Sequence, residues 1–157
     1  MRLEMSQKRS GKIIKYMFRL YSKGCEYTIR ALVYASSQKP NQRFSPKDVC
    51  KKANIPESYT RKIFQNLVKE GLFDAVPGPG GGYRLTKHPK DVSVLSIIEA
   101  IDGDDTFDQC VMGLTNCDEA SPCPLHNRWK TMKQILKEGL EKETLEDLMV
   151  LEQLKKE

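Results

Sequence analysis

Between Cys110 and His126 the chain reads CVMGLTNCDEASPCPLH, three cysteines and a histidine within 17 residues, set among acidic and small residues without apolar periodicity. Thiolate and imidazole hold soft and borderline metals, so ligation is the first chemistry to consider. The spacing is Cys-x6-Cys-x5-Cys-x2-His. A structural zinc site normally uses two close pairs, because a short knuckle presents two thiolates to one tetrahedral ion. Here only Cys123 and His126 are close. Wide, uneven gaps suit a larger object whose ligands lie further apart, such as an iron–sulfur cluster. The spacing favours a cluster, with zinc and unliganded redox-active thiols as the alternatives.

Disulfides fit less well. The five cysteines are an odd number, and no apolar h-region follows the basic start MRLEMSQKRSGKIIKY, so a reducing, cytoplasmic compartment is expected. No run of about 18 apolar residues is present to span a membrane. Cys25 and Cys50 fall on helical stretches away from the group, where small buried hydrophobes are expected. A nucleophile built from Cys123 and His126 lacks a recognisable oxyanion hole or pocket, and His88 sits beside a proline in a turn. An enzyme is therefore not expected.

The elements around the loop carry local signals. YSKGCEYTIRALVYASSQ places Tyr27, Ala31, Tyr34 and Ala35 on one helical face. FSPKDVCKKA opens with Ser45 as N-cap, Pro46 at the first helical position and Asp48 to close a capping box. That helix is expected to end near Asn54, since Pro56 disfavours helical geometry at Ile55. A second helix, ESYTRKIFQNLVKE, stops at Gly71. Two short helices joined by a tight turn form a helix-turn-helix. LFDAV and YRLT then flank a PGPGGG tip and read as a hairpin, which makes the arrangement a winged helix. The tip has no following Lys-Ser/Thr and lies between strands, which argues against a phosphate-cradling loop and for close approach to DNA. Ser93 caps SVLSIIEAIDG, with Leu95, Ile98 and Ile101 apolar. Beyond the cysteines, Trp129, Met132, Leu136 and Leu140 recur at helical intervals, and Thr144 with Asp147 opens a last helix. The long amphipathic helix is expected to pair with a copy of itself.

Charge is divided unevenly. Residues 1–69 carry 16 Lys/Arg against 4 Asp/Glu, a net of +12, and residues 70–157 carry 10 against 17, a net of −7. A basic half of this kind suits a polyanion. On the second helix Ile63, Phe64, Leu67 and Val68 form the apolar stripe, and Ser58, Arg61, Lys62, Gln65 and Lys69 face the other way. Cations and amides are the groups that reach phosphates and base edges.

From Arg19 to Leu148 the chain resembles the Rrf-two family of bacterial winged-helix regulators, which includes IscR-like iron–sulfur and NsrR-like nitric-oxide sensors. The landmarks are RLYSKGCEYTIRALVY, IPESYTRKIFQNLVKEGL, GPGGGYRL and the three-cysteine loop with LHNRW. The resemblance implies a homodimer, a cluster-binding loop ahead of a dimerisation helix, and binding of a double-stranded DNA operator through recognition helix and wing. By this likeness Ser58, Tyr59, Arg61 and Lys62 fall where relatives contact the major groove, and Gln65 joins them on the same polar face. Cys110, Cys117 and Cys123 fall on the cluster cysteines, and His126 on the histidine ligand of the IscR-like branch. A [2Fe–2S] cluster is favoured, with [4Fe–4S] as the alternative. Some relatives instead take the fourth ligand as a carboxylate from the partner's first helix, near the position of Glu26. Pro77 stands where the family often has a basic residue before the first wing glycine, which leaves Arg84 to touch phosphate. The first cysteine gap is one residue longer than the IscR-like pattern.

The expected organisation is a basic extension over 1–17, with Met17 a candidate start, and a winged helix-turn-helix over 18–105. A cysteine-rich loop follows over 106–126, then a dimerisation helix and C-terminal helix over 127–157. The expected fold is mainly α with a small β-hairpin wing. The expected function is transcriptional regulation in response to iron, oxidant or nitric oxide. The alternative is a cluster-free regulator whose thiols sense redox state directly.

Overall fold

The computed structural model describes residues 20–113 and 119–154, so the extension over 1–17 and Cys117 lie outside the described residues. Helix α1 (Lys23–Ser36) starts at Ser22, whose Oγ accepts the Cys25 N–H at 3.0 Å. Helix α2 (Pro46–Ala53) opens with the expected capping box. The Ser45 Oγ accepts the Asp48 N–H at 3.2 Å while the Asp48 carboxylate accepts the Ser45 N–H at 3.3 Å. Asn54 ends it in the left-handed region, φ 53°.

Helix α3 (Glu57–Lys69) stops at Gly71, φ 67°. The Gly71 N–H donates to the Val68 carbonyl at 3.0 Å and the Leu72 N–H to that of Leu67 at 2.9 Å, with Leu67 and Leu72 both buried. This Schellman stop turns the chain straight into the wing. Strands β1 (Phe73–Val76) and β2 (Gly82–Leu85) pair antiparallel, from Phe73 opposite Leu85 to Val76 opposite Gly82. Phe44 and Tyr83 exchange backbone hydrogen bonds at 2.9 Å in both directions, so the residues before α2 line the other edge of β2. The Phe64 ring meets Tyr83 and Phe73 edge-on, at centroid distances of 4.6 and 5.2 Å. These aromatic contacts clamp the wing to α3.

Helix α4 (Val94–Asp102) is capped by Ser93 and follows a 3-10 turn at Pro89–Asp91. Helix α5 (His126–Lys142) leads into α6 (Leu145–Leu154), opened by the Thr144–Asp147 capping box. Leu145 is fully buried, and its N–H donates to the Val92 carbonyl at 2.9 Å. The chain thus returns to the core that holds Leu32, Val49, Phe64, Leu67 and Ile97. A second cluster gathers Cys25, Val94, Leu95, Ile98 and Phe107, with Leu136 and Leu140 packed partly against it. Helix α1 lies centrally, against α2, α3, α4, α6 and β2. The architecture is a mainly helical winged helix-turn-helix.

Three sequence expectations need correction, those for Val68, Cys50 and Met132. Val68 is 38% exposed, because the stripe that packs is Thr60, Ile63, Phe64 and Leu67, a narrower face than expected. The α1 face that carries Tyr27, Ala31, Tyr34 and Ala35 packs on the core as expected, with both tyrosines half-buried, and the helix also buries Cys25, Thr28 and Leu32. Cys25 is a buried hydrophobe, but Cys50 is half-buried at the edge of the groove between α2 and α3. On α5, Leu136 and Leu140 pack inward while Met132 is 61% exposed, since it lies one side-step round the helix beside Ile135.

Candidate nucleic-acid interface and cysteine loop

Helix α3 turns its buried stripe inward and leaves Ser58, Arg61, Lys62, Gln65 and Lys69 in solvent, as the alternation of apolar and polar residues requires. Tyr59 is 44% exposed, with its ring edge-on to Tyr27 at 5.1 Å. Thr60, on the inner side, is hydrogen-bonded to Cys50. A groove of about 910 Å³ runs between α2, α3 and β2, lined by Lys47, Lys51, Arg61, Gln65 and Tyr83 among others. The five α3 residues therefore share one open, cationic side of the molecule.

Arg84 does not join them freely. Its Nε and Nη2 donate to Asp74 Oδ2 at 3.0 and 2.9 Å across the hairpin. The wing tip is built for backbone alone. A Cβ on Gly81 would stand 2.2 Å from the Val76 carbonyl oxygen and 2.7 Å from that of Gly78. One cation that sequence reasoning missed sits here: Arg43 Nη1 donates to the Gly80 carbonyl at 3.3 Å. The signal was slight, an arginine one residue before the β-prone Phe44, because the Phe44–Tyr83 pairing spans 39 positions of sequence.

The cysteine loop begins at Gly103, φ 98°, where α4 ends. Just before it, the Asp102 carboxylate accepts the Ser22 N–H at 2.6 Å and the Ser22 hydroxyl at 2.5 Å, fastening the end of α4 to the start of α1. Phe107 is buried in the second cluster. The Trp129 indole N–H donates to the Gln109 carbonyl at 2.9 Å, and the His126 N–H to the Cys123 carbonyl at 2.9 Å. The first arm of the loop is thereby held at Gln109, beside Cys110, against the first turn of α5, and the second turns from Cys123 directly into that helix. Cys110 and Cys123 are half-buried, and His126 is 6% exposed.

Among the described residues no group of three or more His, Cys, Asp or Glu is arranged to hold a metal ion, and Cys117 lies outside them. The donor set fits a cluster in chemistry: thiols that become soft anionic ligands, an imidazole, and a helix N-terminus that favours negative charge. Glu26, the alternative ligand, is ion-paired on its own helix to Lys23 at 2.5 Å and Arg30 at 2.7 Å.

A winged helix-turn-helix with an exposed cationic helix beside its wing is the architecture of a DNA-binding regulator. Residues 21–150 match the Rrf2 family, described as an iron-dependent transcriptional regulator, and the chain belongs to that family. The HTH-type transcriptional regulator IscR of Vibrio atlanticus is 30% identical over 131 residues, covering 83% of this chain and 75% of that protein. IscR of Pectobacterium atrosepticum is also 30% identical over 131 residues, covering 83% and 79%. Among solved structures, T. potens IscR superposes with a TM-score of 0.65 at 25% identity, covering 85% of this chain and 88% of that one. CymR, the global cysteine regulator of B. subtilis, shares the fold with a TM-score of 0.70 at 22% identity, over 83% and 95%. The relatives are named as transcriptional regulators and not as enzymes, and this chain is a transcriptional regulator of the same family. No helix among the described residues is long and apolar enough to cross a membrane.

Proposed function

We propose that the protein is a cytoplasmic, homodimeric regulator that reads a double-stranded operator and senses iron, oxidant or nitric oxide through an iron–sulfur cluster. Ser58, Tyr59, Arg61, Lys62 and Gln65 of α3 enter the major groove, and the winged helix over 18–105 is the reading unit. Cys110, Cys117, Cys123 and His126 hold the cluster, with [2Fe–2S] favoured over [4Fe–4S] and a carboxylate near Glu26 of a second copy as the alternative fourth ligand. Helix α5 carries the dimer contact. Arg84, held to Asp74 through Nε and Nη2, keeps its Nη1 for phosphate.

The observation that carries this reading is the meeting of the two loop arms at the first turn of α5, next to the Asp102–Ser22 fastening. When bound, the cluster would supply one-electron and oxidant-labile chemistry. The protein's own part is mechanical. Trp129 and the His126 N–H fix the loop ends, and a change in the loop reaches α1 through Phe107 and Asp102, and so the helices packed on α1. A thousandfold change in operator affinity needs only about 4 kcal/mol of differential stabilisation.

The test is anaerobic purification followed by iron and sulfide analysis, visible spectroscopy and operator binding. The expected result is a coloured protein with matched iron and sulfide whose DNA affinity changes on cluster loss. Neutralising phosphates also makes affinity fall steeply with salt. A second reading, in which the thiols themselves sense redox state, draws on Cys110 and Cys123, both partly exposed toward the two ends of the loop. A structural neighbour, S. aureus CymR, is known in an oxidized form. Colourless anaerobic protein whose DNA affinity follows thiol oxidation would select that reading.

A further inference from the structure

We infer that Arg43 is the side chain that the wing delivers into the DNA minor groove, where it sets a preference for narrow, A·T-rich sequence flanking the contacts of α3. The inference rests on the operator-binding reading above. The tip from Pro77 to Gly82 carries no side chain that donates a hydrogen bond. It is also a thin blade: Gly78 and Gly80 are left-handed, and Gly81 has backbone oxygens where a Cβ would stand. A blade of this kind approaches DNA closely but reads nothing by itself.

Two arginines lie along the hairpin. Arg84 is held along the strands by Asp74, through both Nε and Nη2. Arg43 is exposed and makes one hydrogen bond, to the Gly80 carbonyl at the tip, which leaves its other N–H groups aimed at no described protein acceptor. Its backbone is fixed even though its side chain is long. Phe44 is buried and paired in both directions with Tyr83, and a Cβ on Gly82 would come within 2.9 Å of the Phe44 carbonyl oxygen and 3.6 Å of the Arg43 Cβ. The same β2 residue, Tyr83, lines the groove that holds Lys47, Lys51 and Arg61. With α3 in a major groove, the tip and Arg43 therefore fall on the adjoining minor groove. A narrow minor groove concentrates negative potential, and a planar, weakly hydrated guanidinium is the group best suited to enter it.

The experiment starts from a duplex that the full-length protein selects from a random library. Three forms of that duplex are compared, with flanks of A·T, of G·C, and of inosine·C pairs, which present an A·T-like minor groove. The unaltered protein should favour A·T and inosine·C flanks over G·C by about tenfold. Arg43→Ala should abolish that preference while keeping its α3-dependent choice of central bases. Arg43→Lys should keep the salt dependence and lose most of the flank preference. The inference is overturned if the unaltered protein ignores the flanks, or if Arg43→Ala keeps the preference. It is equally overturned if Arg43→Ala weakens all three duplexes alike with a smaller salt slope, which would mark a phosphate contact. A library from which nothing is enriched would instead sink the operator-binding reading.

Discussion

Burial, reinforced by the Asp102 carboxylate, pushes the Cys25 thiol from an ordinary 9.0 up to about 12. The folded state therefore prefers the neutral thiol. Its contribution to stability is fully present below about pH 9 and is lost as pH climbs toward 12. Cys25→Ala should cost about 1 kcal/mol of packing at neutral pH, and its penalty should shrink between those limits. Denaturant melts across alkaline pH check this; a constant difference would refute it. A related expectation concerns reactivity. Near pH 8 an alkylating reagent should modify Cys123 in the folded, cluster-free protein and reach Cys25 only on unfolding, because the thiolate is the nucleophile. Mass spectrometry after timed labelling decides it, and equal rates at the two thiols would count against the burial argument. Residue-level legibility followed the same division. The exposed set on α3 was readable because an amphipathic helix fixes faces locally, and Cys25 was readable as a buried hydrophobe. The partners of Arg43 and Arg84 were not readable, since each depends on which strand residues end up opposite one another.

At the level of elements, helix caps and stops account for most of what the sequence disclosed. Ser45, Ser93 and Thr144 cap where expected, and Gly71 ends α3 in the conformation its lack of a Cβ allows, because each signal acts within a few residues. Pairings across long separations were hidden: Phe44 with Tyr83, and Ser93 with Thr144, which sews α6 back into the core. Two outcomes follow. Ser45→Ala should lower stability by about 1 kcal/mol through loss of the N-cap. The Ser45 hydroxyl, and then its N–H, hold the Asp48 carboxyl below its usual range. That contribution is present above the ordinary carboxylate pKa and is lost as pH falls through the lowered one. The gap between the parent and Ser45→Ala should therefore narrow on acidification, which thermal melts from neutral pH downward would reveal. Gly81→Ala is the second. Its new Cβ would collide with two backbone oxygens, so the tip must rearrange. The cost should be about 1–3 kcal/mol, with operator affinity falling while α3-facing base preference persists. Chemical-shift changes confined to β1, β2 and Arg43 would confirm the locality; unaltered shifts there would not be compatible with the clash.

For the molecule as a whole, the question is what covers α5. Leu136 and Leu140 meet the second core cluster, while Met132 and Ile135 are 61% and 65% exposed on the adjoining side of the same helix, with Leu125 just before it also exposed. The sequence indicated one amphipathic stripe, and the folded chain divides it between an inner and an outer use. A twofold dimer places each outer residue at the contact twice. Burying an aliphatic side chain of this size stabilises by about 2 kcal/mol. Replacing Ile135 with Asp in both copies should therefore raise the dimer dissociation constant by about a thousandfold, through roughly 4 kcal/mol lost from two sites. Because Ile135 faces solvent in the single chain, the variant should keep its helical circular dichroism and its melting temperature at concentrations where both proteins are monomeric. Sedimentation velocity over a dilution series measures the dissociation constant directly. Operator binding should then change from one cooperative transition to weaker, independent half-site occupancy, since two reading heads on one frame share a single loss of translational freedom. If Ile135→Asp sediments as the parent does at every concentration, α5 is not the dimer contact, and the loop anchored to its first turn would have no route to the spacing of the two heads.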